Sequence, residues 1–418
     1  EKSGSKNLRK YIIYIAMNTY VLICEFIFLL GMLYVGSRYG GIGLGVVSGI
    51  GLVIEVFVFR MPPASPPIEV MLIILAVVTC ASILEAAGGL KFMLQVAERV
   101  LRKNPKQITF LGPIATYTLT FMLGTGHAVY SIMPIIGDIA LKNKIRPERP
   151  MAAASVASQL AMTASPISAV VTVYLGKELL NLFHLQGGEN LTLLNILSVT
   201  LPATFLGLLA MCLYSSKRGK ELEKDPEYQR RLQDPIYREQ ILNSSKTTLN
   251  EVIPQSAKNA VYIFLSSIVV IVALALLPEV RTFMIKENNV NIAYTVPMGI
   301  IIQMIMLCFG GIILITCKTP VKLVPEGVVF KSGMVACIAI FGIAWMSDTY
   351  FTYAMPNFQD GITAMVQAYP WTFIFALFAV SVVVNSQAAT PKVALPIHLC
   401  FDVRFCCLSV CKRQSGYR

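Results

Sequence analysis

Residues 68–88, 193–215, 259–278 and 294–316 are nearly continuous apolar runs of about twenty residues each. Wound as a helix at ~1.5 Å per residue, such a run crosses the ~30 Å hydrocarbon core of a bilayer. Lipid offers no partner to a backbone N–H or C=O, so only α-helices and closed β-barrels can span it. Continuous runs, rather than short alternating segments, exclude the barrel. Further runs at 19–37, 41–59, 107–123, 125–141, 151–175, 332–347 and 369–390 extend the pattern. Charged residues make up only 14% of the chain, against ~25% in soluble proteins. The expected fold is all-α: a polytopic membrane protein with about 10 membrane segments.

The net charge of +12 raises the question of a nucleic-acid partner. The cations sit in short loops between apolar runs, as the positive-inside bias requires, so no nucleic-acid partner is expected. The basic segments 91–106, 142–149, 216–258 and 318–331 are thereby assigned to the cytoplasm. The segments 177–192 and 348–368, with one Lys and with no Lys or Arg, are assigned outside. Within GGLKFMLQVAERVLRKNPK (88–106), Leu90, Met93, Val96, Val100 and Leu101 lie opposite Lys91, Arg99 and Arg102. That pattern predicts an interfacial amphipathic helix. Residues 216–258 hold nine Lys/Arg and seven Asp/Glu and read as a cytoplasmic linker between two halves.

The stretch LGTGHAVYSIMPI (123–135) places glycines, a threonine and a histidine at membrane depth. The chain leaves one basic loop near 106 and reaches the next near 142, only about 35 residues later. Two full spans and a turn need about 40. A pair of shortened helices is expected instead, entering and leaving on the cytoplasmic side with Gly124, Thr125, Gly126 and His127 at the tip. Bare backbone at that depth must be buried in protein or line a wet cavity. A second stretch, VNSQAATPKVALPI (384–397), repeats the distance from small-polar cluster to proline: Gly124 to Pro134 and Ser386 to Pro396. Its segment enters from the other side. Two such motifs of opposite entry characterise an inverted-repeat transporter with its site at the midplane.

Several passages resemble the anaerobic C4-dicarboxylate transporter (Dcu) family. They are RYGGIGLGVVSGIGLVIEVFVF, PPIEVMLIILAVVTCASILEAAGGL, GTGHAVYSIMPIIGDIALKNKIRPERPMAAASVASQLAMTASPIS, VVFKSGMV, FGIAWMSDTYF, YPWTF and VVNSQAAT. The resemblance implies uptake and exchange of fumarate, succinate, malate and aspartate across a bacterial inner membrane. It further implies kinship with inverted-repeat ion transporters that carry re-entrant hairpins. The corresponding organisation is a first membrane repeat at 17–215, the linker 216–258 and a second, incomplete repeat at 259–397. Residues 1–16 are read as an extension outside the family pattern. Residues 398–418 are read as an aberrant tail, because cysteine becomes frequent there and Arg404 interrupts the apolar run.

For a dicarboxylate, backbone N–H groups at half-helix N-termini and neutral side-chain donors suit each carboxylate. The candidates are Gly124, Thr125, Gly126 and His127 at one tip and Asn385, Ser386, Gln387 and Thr390 at the other. Ser158, Gln159, Ser165 and Pro166 on the following span form a third group, with Pro166 breaking the helical ladder. The competing reading of the same residues is close helix packing and a kinked helix. Asp138 is expected to pair with a nearby Lys or Arg near the cytoplasmic interface.

No cofactor or metal is expected: the three histidines, at 127, 184 and 398, are far apart, and no CxxC pair occurs. HExxH, GxSxG and Walker motifs are also missing from the sequence, which disfavours an intramembrane enzyme and an ATP-driven pump. A channel lacks a repeated filter motif. The alternative to an active transporter is a non-functional truncated or frameshifted product. Expected partners are the dicarboxylates and the lipid bilayer, with H+ or Na+ coupling and a homodimer left open.

Overall fold

A computed structural model describes residues 2–126, 128–175, 192–234, 247–249, 251–287, 290–368 and 378. The described elements are α1 (Lys2–Tyr39), α2 (Ile42–Phe57), α3 (Ile68–Ala86), α4 (Gly89–Lys103), α5 (Ile108–Leu123), α6 (Ala128–Lys142), α7 (Glu148–Ala164) and α8 (Ala169–Tyr174). They continue with α9 (Leu193–Ser216), α10 (Pro226–Leu232), α11 (Gln255–Leu276), β1 (Thr282–Glu287), β2 (Val290–Thr295), α12 (Met298–Thr316) and α13 (Val328–Ala368). Among the described residues, six helical stretches are long and apolar enough to cross a membrane: Val21–Tyr39, Ile68–Ala86, Leu193–Ser216, Gln255–Leu276, Met298–Thr316 and Val328–Ala354. The chain is an all-α polytopic membrane protein.

The break expected at Pro166 is present: α7 stops at Ala164, and Ser165 is extended (φ −77°, ψ 126°), as the residue before a proline favours. Residues 348–368, assigned outside from their lack of Lys and Arg, continue α13 as helix. One element was not expected. Between α11 and α12 an antiparallel hairpin pairs Thr282 with Thr295 and Glu287 with Val290. Its alternation and Asn288-Asn289 pair are hairpin signals, overlooked beside the stronger apolar runs.

The chain divides into two compact units. One comprises residues 1–71, 173–191 and 335–418; the other comprises 72–172 and 192–334. In the first, α1, α2 and α13 enclose Leu22, Leu29, Leu33, Leu52, Ile343 and Met346. Gly45 and Gly342 let α2 and α13 touch backbone to backbone; a methyl on either would overlap the other helix's main chain. Small residues at such crossings are the usual means of tight packing in lipid.

The second unit is organised around α5, α7 and α9. Ala153, Ala157, Ala161 and Ala164 form a fully buried stripe along α7, against Tyr117 of α5 and Leu208 and Cys212 of α9. The Tyr117 hydroxyl is 2.8 Å from Thr204 Oγ1 and joins α5 to α9.

At one end of this unit the basic segments meet. Helix α4 is amphipathic as expected. Met93, Leu94, Gln95, Glu98 and Leu101 are buried, whereas Val96 and Val100 are exposed. Polar contacts hold the buried face. Gln95 Nε2 donates to the carbonyls of Thr248 (3.1 Å) and Glu251 (3.1 Å). The Glu98 carboxylate accepts from Thr248 N (2.7 Å), Thr248 Oγ1 (2.6 Å) and Arg102 Nε (2.7 Å). The other end of the linker is held by Arg149 on Glu221 (3.0 Å) and Arg146 on Asp225 (2.9 Å).

Burial alone would raise the Glu98 carboxyl, but hydrogen bonds from Thr248, Thr247 and Arg102 outweigh it and hold it below its ordinary value. A lowered folded-state value means the contact stabilises fully above the ordinary glutamate range and is lost as pH falls through the folded value. Limited proteolysis of residues 235–250 should therefore be unchanged on lowering the pH toward 5.5, and accelerate only below the reference glutamate value of 4.5. In Glu98→Gln the acid-triggered acceleration should disappear, with faster cleavage already at neutral pH. An unchanged pH response in that variant would remove Glu98 as the clasp.

Candidate functional site

Helices α5 and α6 form a hairpin of two short helices. Helix α5 has 16 residues and α6 has 15, giving ~22–24 Å each at ~1.5 Å per residue, short of a ~30 Å core. Arg102, just before α5, contacts Asp138 near the end of α6 at 3.1 Å. Both ends of the hairpin therefore lie together. Asp138 is also 2.8 Å from Lys142, so it is paired with cations as the sequence reading expected.

The tip begins where α5 stops. Gly124 adopts φ +67°, and its N–H closes on Thr120 O at 2.8 Å. This is a left-handed helix end, the conformation in which glycine is favoured. An added methyl would lie 3.0 Å from Ile167 O and 2.9 Å from Ile167 Cγ1. The chain passes through Thr125 and Gly126, and α6 starts at Ala128. His127 lies outside the described residues.

The last-turn carbonyls of a helix lack internal donors. Here the broken α7 supplies them. Ser165 Oγ donates to Phe121 O (2.7 Å), and Ser158 Oγ donates to Gly126 O (2.9 Å). Both serines are completely buried. A methyl placed on Gly126 would lie 2.7 Å from Met162 Sδ, 3.2 Å from Ser158 Oγ and 3.4 Å from Gln159 Nε2. Gln159 is exposed yet beside the tip. Pro166 is buried within the α7–α8 break, and Ser168 Oγ accepts from Val171 N at 3.2 Å.

The structure thus brings Gly124, Gly126, Ser158, Gln159, Ser165 and Pro166 into one neighbourhood, with Thr125 on the loop between the glycines. The second tip, Asn385, Ser386, Gln387 and Thr390, lies outside the described residues. Sequence reasoning missed Thr120. It is fully buried one turn below Gly124, and its hydroxyl has no hydrogen-bond partner. Its sequence context gave no signal, because Thr109, Thr116 and Thr118 lie on the same helix. A cavity of about 510 Å³ lies elsewhere, at the linker end, between Arg146, Arg149, Tyr214 and Arg218. Its arginines Arg146 and Arg149 are already engaged by Asp225 and Glu221.

A family model described as "Anaerobic c4-dicarboxylate membrane transporter" matches residues 21–412. The chain belongs to this family. It is 43% identical over 380 residues to the anaerobic C4-dicarboxylate transporter DcuB of Escherichia coli O6:H1, covering 91% of this chain and 83% of the relative. The C4-dicarboxylate transporter DcuA of Helicobacter pylori J99 is 34% identical, covering 89% and 80%. DcuA of Escherichia coli K12 is 33% identical, covering 92% and 84%. No solved structure matches. The transporter family retains the match through the hairpin, the α7 break and the linker alike.

The two tip glycines should respond differently. Gly124→Ala forces an alanine into a left-handed conformation costing roughly 1–2 kcal/mol and presses it on the Ile167 carbonyl. Gly126→Ala meets a flexible methionine end. Thermal unfolding in detergent should show a clear loss of stability for Gly124→Ala and little for Gly126→Ala; equal losses would contradict this tip geometry.

Proposed function

We infer that this chain is a secondary transporter of C4-dicarboxylates such as fumarate, succinate, malate and aspartate, taking them up or exchanging them across a bacterial inner membrane. The observation that carries this reading is the family match over residues 21–412. The curated relatives named as C4-dicarboxylate transporters support it along most of their own length. Membrane-spanning apolar helices fit transport. Nothing favours the reading of a non-functional product.

The hairpin tip is the substrate site in this reading. A carboxylate sits against the N-terminus of α6, where the first-turn N–H groups and the helix dipole favour negative charge. Gly124 and Gly126 let it approach the backbone, and Thr125, His127 and Gln159 donate hydrogen bonds. The unpartnered Thr120 hydroxyl is a further donor beneath the tip. Ser158, Ser165 and Pro166 hold the hairpin against the broken helix. Asn385, Ser386, Gln387 and Thr390 bind the second carboxylate from the other repeat, so that residues 17–215 and 259–397 contribute one tip each. Alternating access then moves one repeat against the other about a midplane site.

Counterflow tests this directly. Vesicles containing the protein and loaded with unlabelled succinate should accumulate labelled fumarate. His127→Ala should insert normally and lose this accumulation. Absence of counterflow by the unaltered, correctly inserted chain would overturn the transport reading; undiminished counterflow in His127→Ala would remove His127 from the site.

A further inference from the structure

The unit containing α1, α2 and residues 335–368 hides two carboxyl groups. Glu25 of α1 is 6% exposed and Glu55 of α2 is 1% exposed. Glu25 Oε2 and both carboxyl oxygens of Glu55 have no hydrogen-bond partner. Among the described residues, no Lys, Arg or His forms an ion pair with either. The two are neighbours: Glu25 acts electrostatically on Glu55, and both act on the Tyr350 hydroxyl of α13. That hydroxyl is itself occupied, donating to Leu22 O at 3.0 Å. One helical turn before Tyr350 is Ser347, fully buried, whose hydroxyl also has no partner. Residues three apart share a helix face, so Ser347 lies on the side of α13 that Tyr350 turns toward the carboxyls. The surrounding side chains are apolar, among them Leu22, Leu52, Met346 and Phe351. Of the other ionisable groups on these elements, Cys24 and Arg60 are exposed, and Asp348 is half-buried and already engaged.

Two bare carboxylates in such surroundings carry a desolvation penalty of several kcal/mol each, and like charges at close range add repulsion. Hydrogen bonds to the neutral form remove both burdens, and a proton provides them with the fewest new ligands. One carboxyl then becomes an O–H donor to the oxygen of the other, and Ser347 Oγ supplies or accepts the next bond. Among the described residues no third His, Cys, Asp or Glu joins the two carboxyls to complete a metal-ion site.

We propose that Glu25, Glu55 and Ser347 form a proton-binding site in this unit, and that loading and unloading it couples dicarboxylate movement to proton movement. The coupling half of the proposal rests on the transport reading above; the proton site itself does not. The uptake step adds H+ to a carboxylate oxygen to make the neutral acid, and release reverses it, so no other reactant is required.

Two measurements on the full chain in liposomes separate these parts. Infrared spectra at neutral pH should show a carboxylic-acid C=O band in apolar surroundings that weakens in Glu25→Gln and in Glu55→Gln, and weakens most in the double variant. An identical band in the unaltered chain and all three variants would overturn the site, whatever the transport result. With a pH dye inside, inward succinate transport should acidify the lumen. In Glu55→Gln the acidification should vanish while succinate–fumarate counterflow continues. Acidification that persists in Glu25→Gln, Glu55→Gln and the double variant, or uptake driven by Na+ without proton movement, would overturn the coupling. Failure of counterflow in the unaltered chain with the infrared result intact would count against the transport reading and leave the proton site standing.

Discussion

The carbonyl oxygens of Phe121 and Gly126 govern how this chain is built at membrane depth. Phe121 O lies in the last turn of α5, and Gly126 O lies just before α6 with only a long bond from Val129 N (3.4 Å); lipid offers neither a donor. Ser165 and Ser158 supply one each instead. That solution has consequences. The helix carrying both serines must approach α5 closely, which the stripe Ala153, Ala157, Ala161 and Ala164 permits. It must also open at Ser165, which the following proline enforces. The hairpin and the broken helix are therefore one structural device, and neither would be stable at depth without the other.

The far end of the hairpin is fixed by charge. Arg102 bridges Glu98 and Asp138, so the start of α5 is tied both to the end of α6 and, through Glu98, to the linker at Thr248. Both acidic side chains are buried there, so these bonds matter more than exposed pairs such as Lys144 with Glu223, for which solvent screening leaves little net stabilisation. The hairpin is thus held at its tip by hydroxyls and at its base by a guanidinium.

Much of this was legible in the sequence because apolar run length and loop charge are strong signals. The short interval between basic loops already required a hairpin, and Gly124 and Gly126 marked its tip. Asp138 was correctly read as an ion-pair residue. The proline at 166 signalled the break within the run 151–175, and α7 ends at Ala164. The amphipathic character of α4 was legible from its spacing, but the partners of its polar residues were not. Gln95 and Glu98 find theirs 150 or more residues away, a pairing no local pattern contains. Thr120 was invisible for a similar reason: a threonine in an apolar helix normally bonds its own backbone, as Thr116 does with Gly112 O, and only the structure separates the two. Whether Asn385–Thr390 answers the first tip rests on the spacing of the two motifs.

The central claim is that α5 and α6 enter and leave on one side of the membrane. Single cysteines at Lys106 and Asn143, in a background without other reactive thiols, test it most directly. With a membrane-impermeant maleimide, both should label from the cytoplasmic side and neither from the outside. Labelling of the two positions from opposite sides would make α5–α6 a spanning segment and would contradict the account.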